Sequence, residues 1–150
     1  MKRFTIGMVL ALTVAAAGCG GGGGGSKSLT KAEYGSKLNQ ICKDYNAKVK
    51  EIGQPASIEE LGTKGGKLLT EFEKAISKAE KLEPPSELKD TADKFIVDAR
   101  QLTDLLDKLI AAAKANDAAT ITQIGGKADA LSKEGDRLGT ELGAPACAEG

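Results

Sequence analysis

Apolar side chains recur at alternating steps of three and four residues in four segments of the chain, which predicts four amphipathic helices. No run of residues alternates with the period of two that marks a half-buried strand. The four apolar stripes, in chain order, are Tyr34, Leu38, Ile41, Tyr45, Val49 and Ile52; Ile58, Leu61, Leu68, Phe72, Ile76, Ala79 and Leu82; Leu88, Ala92, Phe95, Ala99, Leu102, Leu106, Leu109 and Ala113; and Ile121, Ile124, Ala128, Leu131, Gly135, Leu138 and Leu142.

Capping and helix-breaking residues separate these segments. A serine or threonine followed three residues later by glutamate precedes the first two helices, and this is the pattern of a capping box. Proline, glycine or an Asn-Asp pair stands at each predicted helix end, and the prolines can also start the third helix. These signals are Thr30 with Glu33, Ser57 with Glu60, Gly53 to Pro55, Pro84-Pro85, Asn116-Asp117, and Gly143 with Pro145.

Four amphipathic helices with short connections predict an all-α fold, an antiparallel up-down four-helix bundle over residues 30–150. A long coiled-coil hairpin is the alternative architecture. The bundle is favoured because four apolar stripes bury their surface best against one another.

After Met1 come two basic residues, Lys2 and Arg3, followed by an uncharged stretch from Phe4 to Gly18. A basic head, a short apolar run and small residues at its end are typical of a secretory signal peptide. The alternative, a permanent membrane-spanning helix, needs about 20 apolar residues. The pattern therefore predicts that residues 1–18 are a signal peptide that is removed.

The residues at the end of this segment, Ala16-Ala17-Gly18-Cys19, resemble the lipobox of bacterial lipoproteins. The resemblance implies that the Cys19 thiol receives a diacylglycerol and holds the protein on the extracytoplasmic face of the cell membrane. The family prefers leucine where Ala16 stands. Ala15-Ala16-Ala17 would also suit an ordinary cleavage site, which would release a soluble protein.

Residues 19–29 are predicted to be the lipidated cysteine and a flexible spacer, because Gly20 to Gly25 are all glycine. A phosphate-binding glycine loop is the alternative for this run. That loop would end in Gly-Lys-Ser or Gly-Lys-Thr after a strand, and the chain has neither signal here.

The chain has three cysteines, Cys19, Cys42 and Cys147, and an odd number in an exported protein calls for an explanation. Lipidation of Cys19 would leave an even pair, which can oxidise outside the cytoplasm. We therefore predict a structural Cys42–Cys147 disulfide. A redox or metal-binding pair is the alternative, but neither a Cys-x-x-Cys spacing nor any histidine supports it.

Histidine is absent from the whole chain, which removes the serine-protease triad, the common zinc sites and the usual di-iron bundle motifs. We predict a non-catalytic protein without a metal or a cofactor. Removal of Lys2 and Arg3 from the 21 basic residues leaves 19 against 21 acidic ones, a net charge of −2. That balance does not indicate a nucleic-acid partner.

Glycines in the predicted second and fourth helices are unusual, because each interior glycine costs about 1 kcal/mol relative to alanine. Gly65 and Gly135 fall on or near the apolar stripes. They indicate either a close approach of two helices or a cavity for a small apolar ligand. The candidate cavity residues are Gly65, Leu68, Phe72, Leu131, Gly135 and Leu138.

Taken together, these features resemble uncharacterised lipoproteins and small secreted proteins of actinobacteria. The resemblance rests on the anchor, the spacer, the stretch from Tyr34 to Cys42, the Leu82-to-Pro85 turn and the end from Leu142 to Cys147. It implies a fold and a location, and no activity. Two hypotheses follow: a lipid-anchored envelope protein that presents a helical surface to another envelope protein, and a carrier that holds a lipid or small apolar molecule between its helices.

Overall fold

The structure is a computed structural model that describes residues 29–149. Within that range the chain folds into four long helices and forms no strand, as the sequence predicts. The helices are α1 (Lys31–Ile52), α2 (Ile58–Ala79), α3 (Lys89–Lys114) and α4 (Ala118–Glu141), with 3-10 turns at Ser86–Leu88 and Pro145–Ala148. The predicted signal peptide, Cys19 and most of the spacer lie outside the described residues.

The predicted caps form at the start of α1, α2 and α4. The Thr30 hydroxyl accepts from the Glu33 amide at 3.3 Å, and the Glu33 carboxylate accepts from the Thr30 amide at 2.9 Å, which completes a capping box. The hydrogen bonds that the Glu33 carboxylate accepts from the Thr30 amide and from the Thr30 hydroxyl lower the pKa of Glu33. Ser57 accepts from the Glu60 amide in the same way, but the Glu60 carboxylate accepts from Ala56 instead of returning to Ser57.

The prolines act differently from the prediction. Helix α2 ends at Ala79, so Leu82 lies in the connection beyond it. Pro84-Pro85 leads into the 3-10 turn Ser86–Leu88, and α3 begins only at Lys89. Pro145 likewise opens a 3-10 turn where it was expected only to close the fourth helix. Proline fixes φ at a value that suits the first residue of either kind of helical turn.

Each helix packs on the next along the chain: α1 on α2, α2 on α3 and α3 on α4. Helices α1 and α4 have little direct contact. They are connected mainly by the tail (residues 143–149), whose 3-10 turn packs on both of them. The fold is therefore a helical bundle in which a short irregular segment joins the first helix to the last.

The most completely buried part of the core lies at the end of the bundle where α1 begins and α4 ends. Leu29 packs against it from the start of the described chain. The Gly35 Cα sits so close to the end of α4 that an added Cβ would lie 2.8 Å from the carbonyl oxygen of Leu142. The buried members of this cluster are Tyr34, Leu38, Ala79, Leu88, Ala92, Leu142 and Ala144.

Among the described helices, none combines the length and the apolar character needed to cross a membrane.

Candidate functional site

A disulfide joins the tail to α1. Cys42 and Cys147 are bonded, with 5.0 Å between their Cα atoms, which confirms the predicted pairing. Two side chains of α1 add hydrogen bonds to the same segment. The Asn39 side-chain oxygen accepts from the Ala146 amide at 2.8 Å, and the Asn46 side-chain amide donates to the Ala146 carbonyl at 2.8 Å.

Asn39, Cys42 and Asn46 are spaced by three and four residues, so they share one face of α1. Ala146 is only 1% exposed, and both of its backbone polar groups are satisfied by this pair of asparagines. A buried backbone group without a partner would be costly. The asparagine side chains therefore allow the tail to be buried along α1. The backbone of α1 could not bond to the tail, because its own polar groups are already used within the helix.

On its other side the tail packs on α4. A Cβ added to Gly139 would lie 2.7 Å from the Cβ of Cys147, so only glycine at this position permits the observed approach. The tail thus occupies the space where α1 and α4 would otherwise meet. Beyond the tail, nothing in the described chain draws these two helices together along their length.

A cavity of about 380 Å³ lies in this space, beside the disulfide and between all four helices. Its size falls within the range of small-molecule sites in proteins. Leu38 and Ile76 at its wall are buried, but seven other large apolar side chains that line it are only partly buried, although they belong to the predicted apolar stripes. They are Ile41, Tyr45, Phe72, Phe95, Leu102, Leu106 and Leu131.

Three of the six predicted cavity residues, Phe72, Leu131 and Gly135, line this cavity. At Gly135 an added Cβ would meet no atom within 4 Å, so the space above it is open. The Phe72 ring lies 5.5 Å from the ring of Tyr45, and these two rings form part of the wall between α1 and α2. Burial raises the pKa of Tyr45.

The other three predicted residues, Gly65, Leu68 and Leu138, do not line the cavity. A Cβ added to Gly65 would lie 2.6 Å from the Ile110 side chain, so Gly65 serves a close approach of α2 and α3. Leu138 is 2% exposed and belongs to the packed interior. The two explanations offered for the glycines therefore apply to different residues: close approach at Gly65 and open space at Gly135.

The charged groups that line the cavity within the described chain are all carboxylates: Asp98, Asp129 and Asp136. Asp98 is 9% exposed and accepts from Lys94 at 2.6 Å. Asp129 pairs with Lys133 at 2.8 Å near the solvent. Asp136 has no basic partner among the described residues, and partial burial raises its pKa.

An ion-pair network fixes α3 against α4 beside this wall. Lys94 of α3 bridges Asp98 and Glu134, and Glu134 in turn accepts two hydrogen bonds from Arg137. These hydrogen bonds, from Arg137 first and from Lys94 second, lower the pKa of Glu134 to about 2. Lys94 therefore pairs with Asp98 and Glu134, and it does not line the cavity.

Sequence reasoning missed the two asparagines and the cavity carboxylates. The spacing of Asn39 and Asn46 around Cys42 is the one signal that could have identified the tail contacts. Asp98 and Asp136 each adjoin a residue of an apolar stripe, Ala99 and Gly135. That position, at the edge of a helix's apolar face, could have marked them as groups that approach the bundle interior.

In the described residues, no group of three or more potential metal-ligating side chains is placed to hold a metal ion. Comparisons of the chain with protein-family models, curated proteins and solved structures found no match. The function therefore has to be argued from the cavity and its surroundings.

Proposed function

We propose that this protein binds a small, elongated apolar molecule in the cavity between its helices and acts as a carrier or receptor for it. The observation that supports the proposal is the cavity itself. It holds about 380 Å³, it is lined mainly by aliphatic and aromatic side chains, and it is bordered by a covalently fixed tail. A site of this kind is the default place for a small-molecule ligand in a helical bundle.

The partial exposure of the lining supports this reading. Natural cores are packed at close to crystal density, and gaps in them are destabilising. Here three aromatic side chains and several leucines leave part of their apolar surface uncovered around one space. A ligand would cover that surface and gain about 25 cal/mol for each Å² removed from water.

The alternative, a helical surface for another envelope protein, has less support in the described structure. Its large exposed apolar side chains are Ile58, 43% exposed, and Val97, 53% exposed. They lie on different helices, and single exposed apolar residues are normal on soluble proteins. We therefore rank the carrier above the interaction surface.

We further propose that the helices run up and down in alternation. The contact between Gly35, near the start of α1, and Leu142, just after α4, agrees with that topology, because it puts the beginning of the first helix and the end of the last at one pole.

We propose an extracytoplasmic location and a diacylglycerol on Cys19 as the connection to the membrane. Support comes from the sequence pattern before Cys19, from its likeness to actinobacterial lipoproteins, and from the oxidised Cys42–Cys147 pair, since disulfides persist outside the reducing cytoplasm. The packed end of the bundle, where Leu29 enters, would then face the membrane.

The experiment is a titration of the purified protein with N-phenyl-1-naphthylamine, a neutral apolar dye that fluoresces when it leaves water. The wild-type chain should bind the dye saturably at one site. A Gly135→Leu variant should bind it at least tenfold more weakly, because the new side chain has open space to extend into and would occupy the site.

Gly126→Leu is the matched control. Gly126 lies in the same helix, is also free of neighbours within 4 Å, and does not line the cavity. Both variants should keep the wild-type circular dichroism. If the wild type shows no saturable binding, or if both leucine variants bind the dye equally well, the proposal is wrong.

A further inference from the structure

We propose that the cavity selects apolar molecules that carry a protonated amine, and that Asp136 is the residue that pairs with it. The inference rests on the proposed function and adds the class of ligand. It comes from charge complementarity: the apolar part of the site sets no preference among lipids, fatty acids and amines, whereas the charged part of the wall does.

The three carboxylates of the cavity wall differ in whether a basic side chain neutralises them. Asp98 and Asp129 each accept from a lysine on their own helix. Asp136 has no such lysine or arginine within the described chain, although Arg137 follows it directly. The Arg137 guanidinium is directed instead to Glu134 and Glu141, with nitrogen–oxygen distances of 2.9 Å.

The position of Asp136 suits a ligand head group. It follows Gly135, the residue over which the cavity is open, and Ser132 lies one helical turn before it. Ser132 is exposed and lines the same space. A carboxylate and a hydroxyl on one helix face, next to an apolar space, can both accept hydrogen bonds from an ammonium group.

An anionic head group fits this wall poorly. No lysine or arginine lines the cavity in the part of the chain that the structure describes, and its acidic groups would repel a carboxylate or a phosphate. Repulsion between like charges is stronger in a partly desolvated site than in water. The site should therefore discriminate against fatty acids, which are the commonest anionic apolar molecules of similar size.

The volume of the cavity determines how long a test ligand should be. A 150 Å³ apolar cavity holds benzene, with its six carbons, so about 380 Å³ should accept roughly 15 non-hydrogen atoms. Dodecylamine, dodecanol and dodecanoate have nearly this size and differ only in the head group. Dodecylamine and dodecanoate are titrated below their micelle-forming concentrations and dodecanol below its solubility limit, each in competition with the neutral dye.

The wild-type protein should bind dodecylamine about tenfold more tightly than dodecanol, a difference typical of a hydrogen-bonded charge pair, and dodecanoate most weakly. Asp136→Asn should reduce amine binding to the level of the alcohol and leave alcohol binding unchanged. Raising the salt concentration should weaken the preference for the amine, because exposed charge interactions are screened. Asp107→Asn, which changes an exposed aspartate of α3 outside the cavity, should bind all three probes as the wild type does.

The outcomes separate this inference from the proposed function. If neither dodecanol nor the dye binds the wild type, the cavity is not a ligand site and both ideas are wrong. If all three dodecyl probes bind equally, the apolar site stands and the head-group assignment is wrong. If Asp136→Asn weakens alcohol and amine binding to the same extent, Asp136 only maintains the shape of the cavity, and its pairing with an amine is refuted.

Discussion

Removal of the Cys42–Cys147 disulfide should cost the domain several kcal/mol of stability. The two cysteines are 105 residues apart in sequence, so the bond closes nearly the whole described chain into one loop. In the chain-entropy model a loop of this length is worth about 4.7 kcal/mol at 25 °C, an upper value that real disulfides often fall below. A domain at the lower end of the ordinary range, about 5 kcal/mol, would become marginal without it.

The variant is Cys42→Ala with Cys147→Ala, and both it and the reference protein also carry Cys19→Ser so that no third thiol can exchange. Urea unfolding is followed by circular dichroism at the helix band, because the chain has no tryptophan. With a slope of about 1.5 kcal/mol per molar urea, a loss of 3–4.7 kcal/mol moves the midpoint down by roughly 2–3 M.

The unfolding slope gives a second, independent check. A cross-linked unfolded chain is more compact and exposes less surface, so the double alanine variant should unfold with the steeper slope. A midpoint shift worth less than about 1 kcal/mol, with an unchanged slope, would refute the reasoning, because it would mean that the bond does not restrict the unfolded chain.

Asn46→Ala tests the tail contacts without touching the disulfide. It removes the 2.8 Å hydrogen bond to the buried Ala146 carbonyl and leaves that carbonyl only the longer one, 3.4 Å, from the Glu149 amide, which should cost about 1 kcal/mol. In the alanine background without the disulfide, the same substitution should cost less, because the tail is then free to leave α1 and find water. Equal costs in the two backgrounds would show that the disulfide and the asparagine act independently.

Three further predictions concern single sites. Gly35→Ala should lower the free energy of unfolding by about 1–2 kcal/mol despite the better helix propensity of alanine, because its methyl would press on the Leu142 carbonyl; urea unfolding measures this. Glu134→Gln should lower the melting temperature at pH 7. Arg137 keeps the Glu134 carboxylate ionised in the fold until the pH falls to the pKa of Glu134, about 2, whereas an unfolded glutamate is protonated below about 4.3. The difference in melting temperature should therefore vanish as the pH falls from about 4.3 toward 2. Asp136→Asn should raise the melting temperature at pH 7 and not at low pH, because burial raises the pKa of this carboxyl and its charged form therefore opposes folding; a lower value at pH 7 would contradict this.

The helices themselves could be predicted from the sequence because their signals are local. The Thr30–Glu33 box, the Asp117 cap and the four helices that the stripes predict each depend on residues a few positions apart. All of them appear in the structure, although Leu82 lies beyond α2 and Ile58 is exposed. The disulfide could be predicted by counting cysteines. The position of Gly65 against Ile110 could not, because a glycine on an apolar stripe has the same sequence signature whether a neighbouring helix approaches it or leaves it open.

Only three of the six predicted residues line the cavity, for a related reason. Phe72, Leu131 and Gly135 were identified from their stripes, and a stripe specifies which face of a helix turns inward without specifying what meets it there. What meets it is decided by the tail. Two asparagine side chains and a disulfide hold residues from the end of the chain against α1, and such long-range contacts leave no periodic signal.

The tail helps to explain why a glycine and an aspartate stand at positions 135 and 136. A glycine over open space and a partly buried carboxylate without a basic partner in the described chain both oppose folding, and alanine and asparagine would suit a closed core better. They are adjacent, and both line the space that the tail keeps between α1 and α4. Two residues that lower stability together at one cavity wall support the proposed binding site over a purely structural role for this space. The large entropic contribution of the disulfide offsets their cost, so the domain can keep an incompletely packed interior and remain folded.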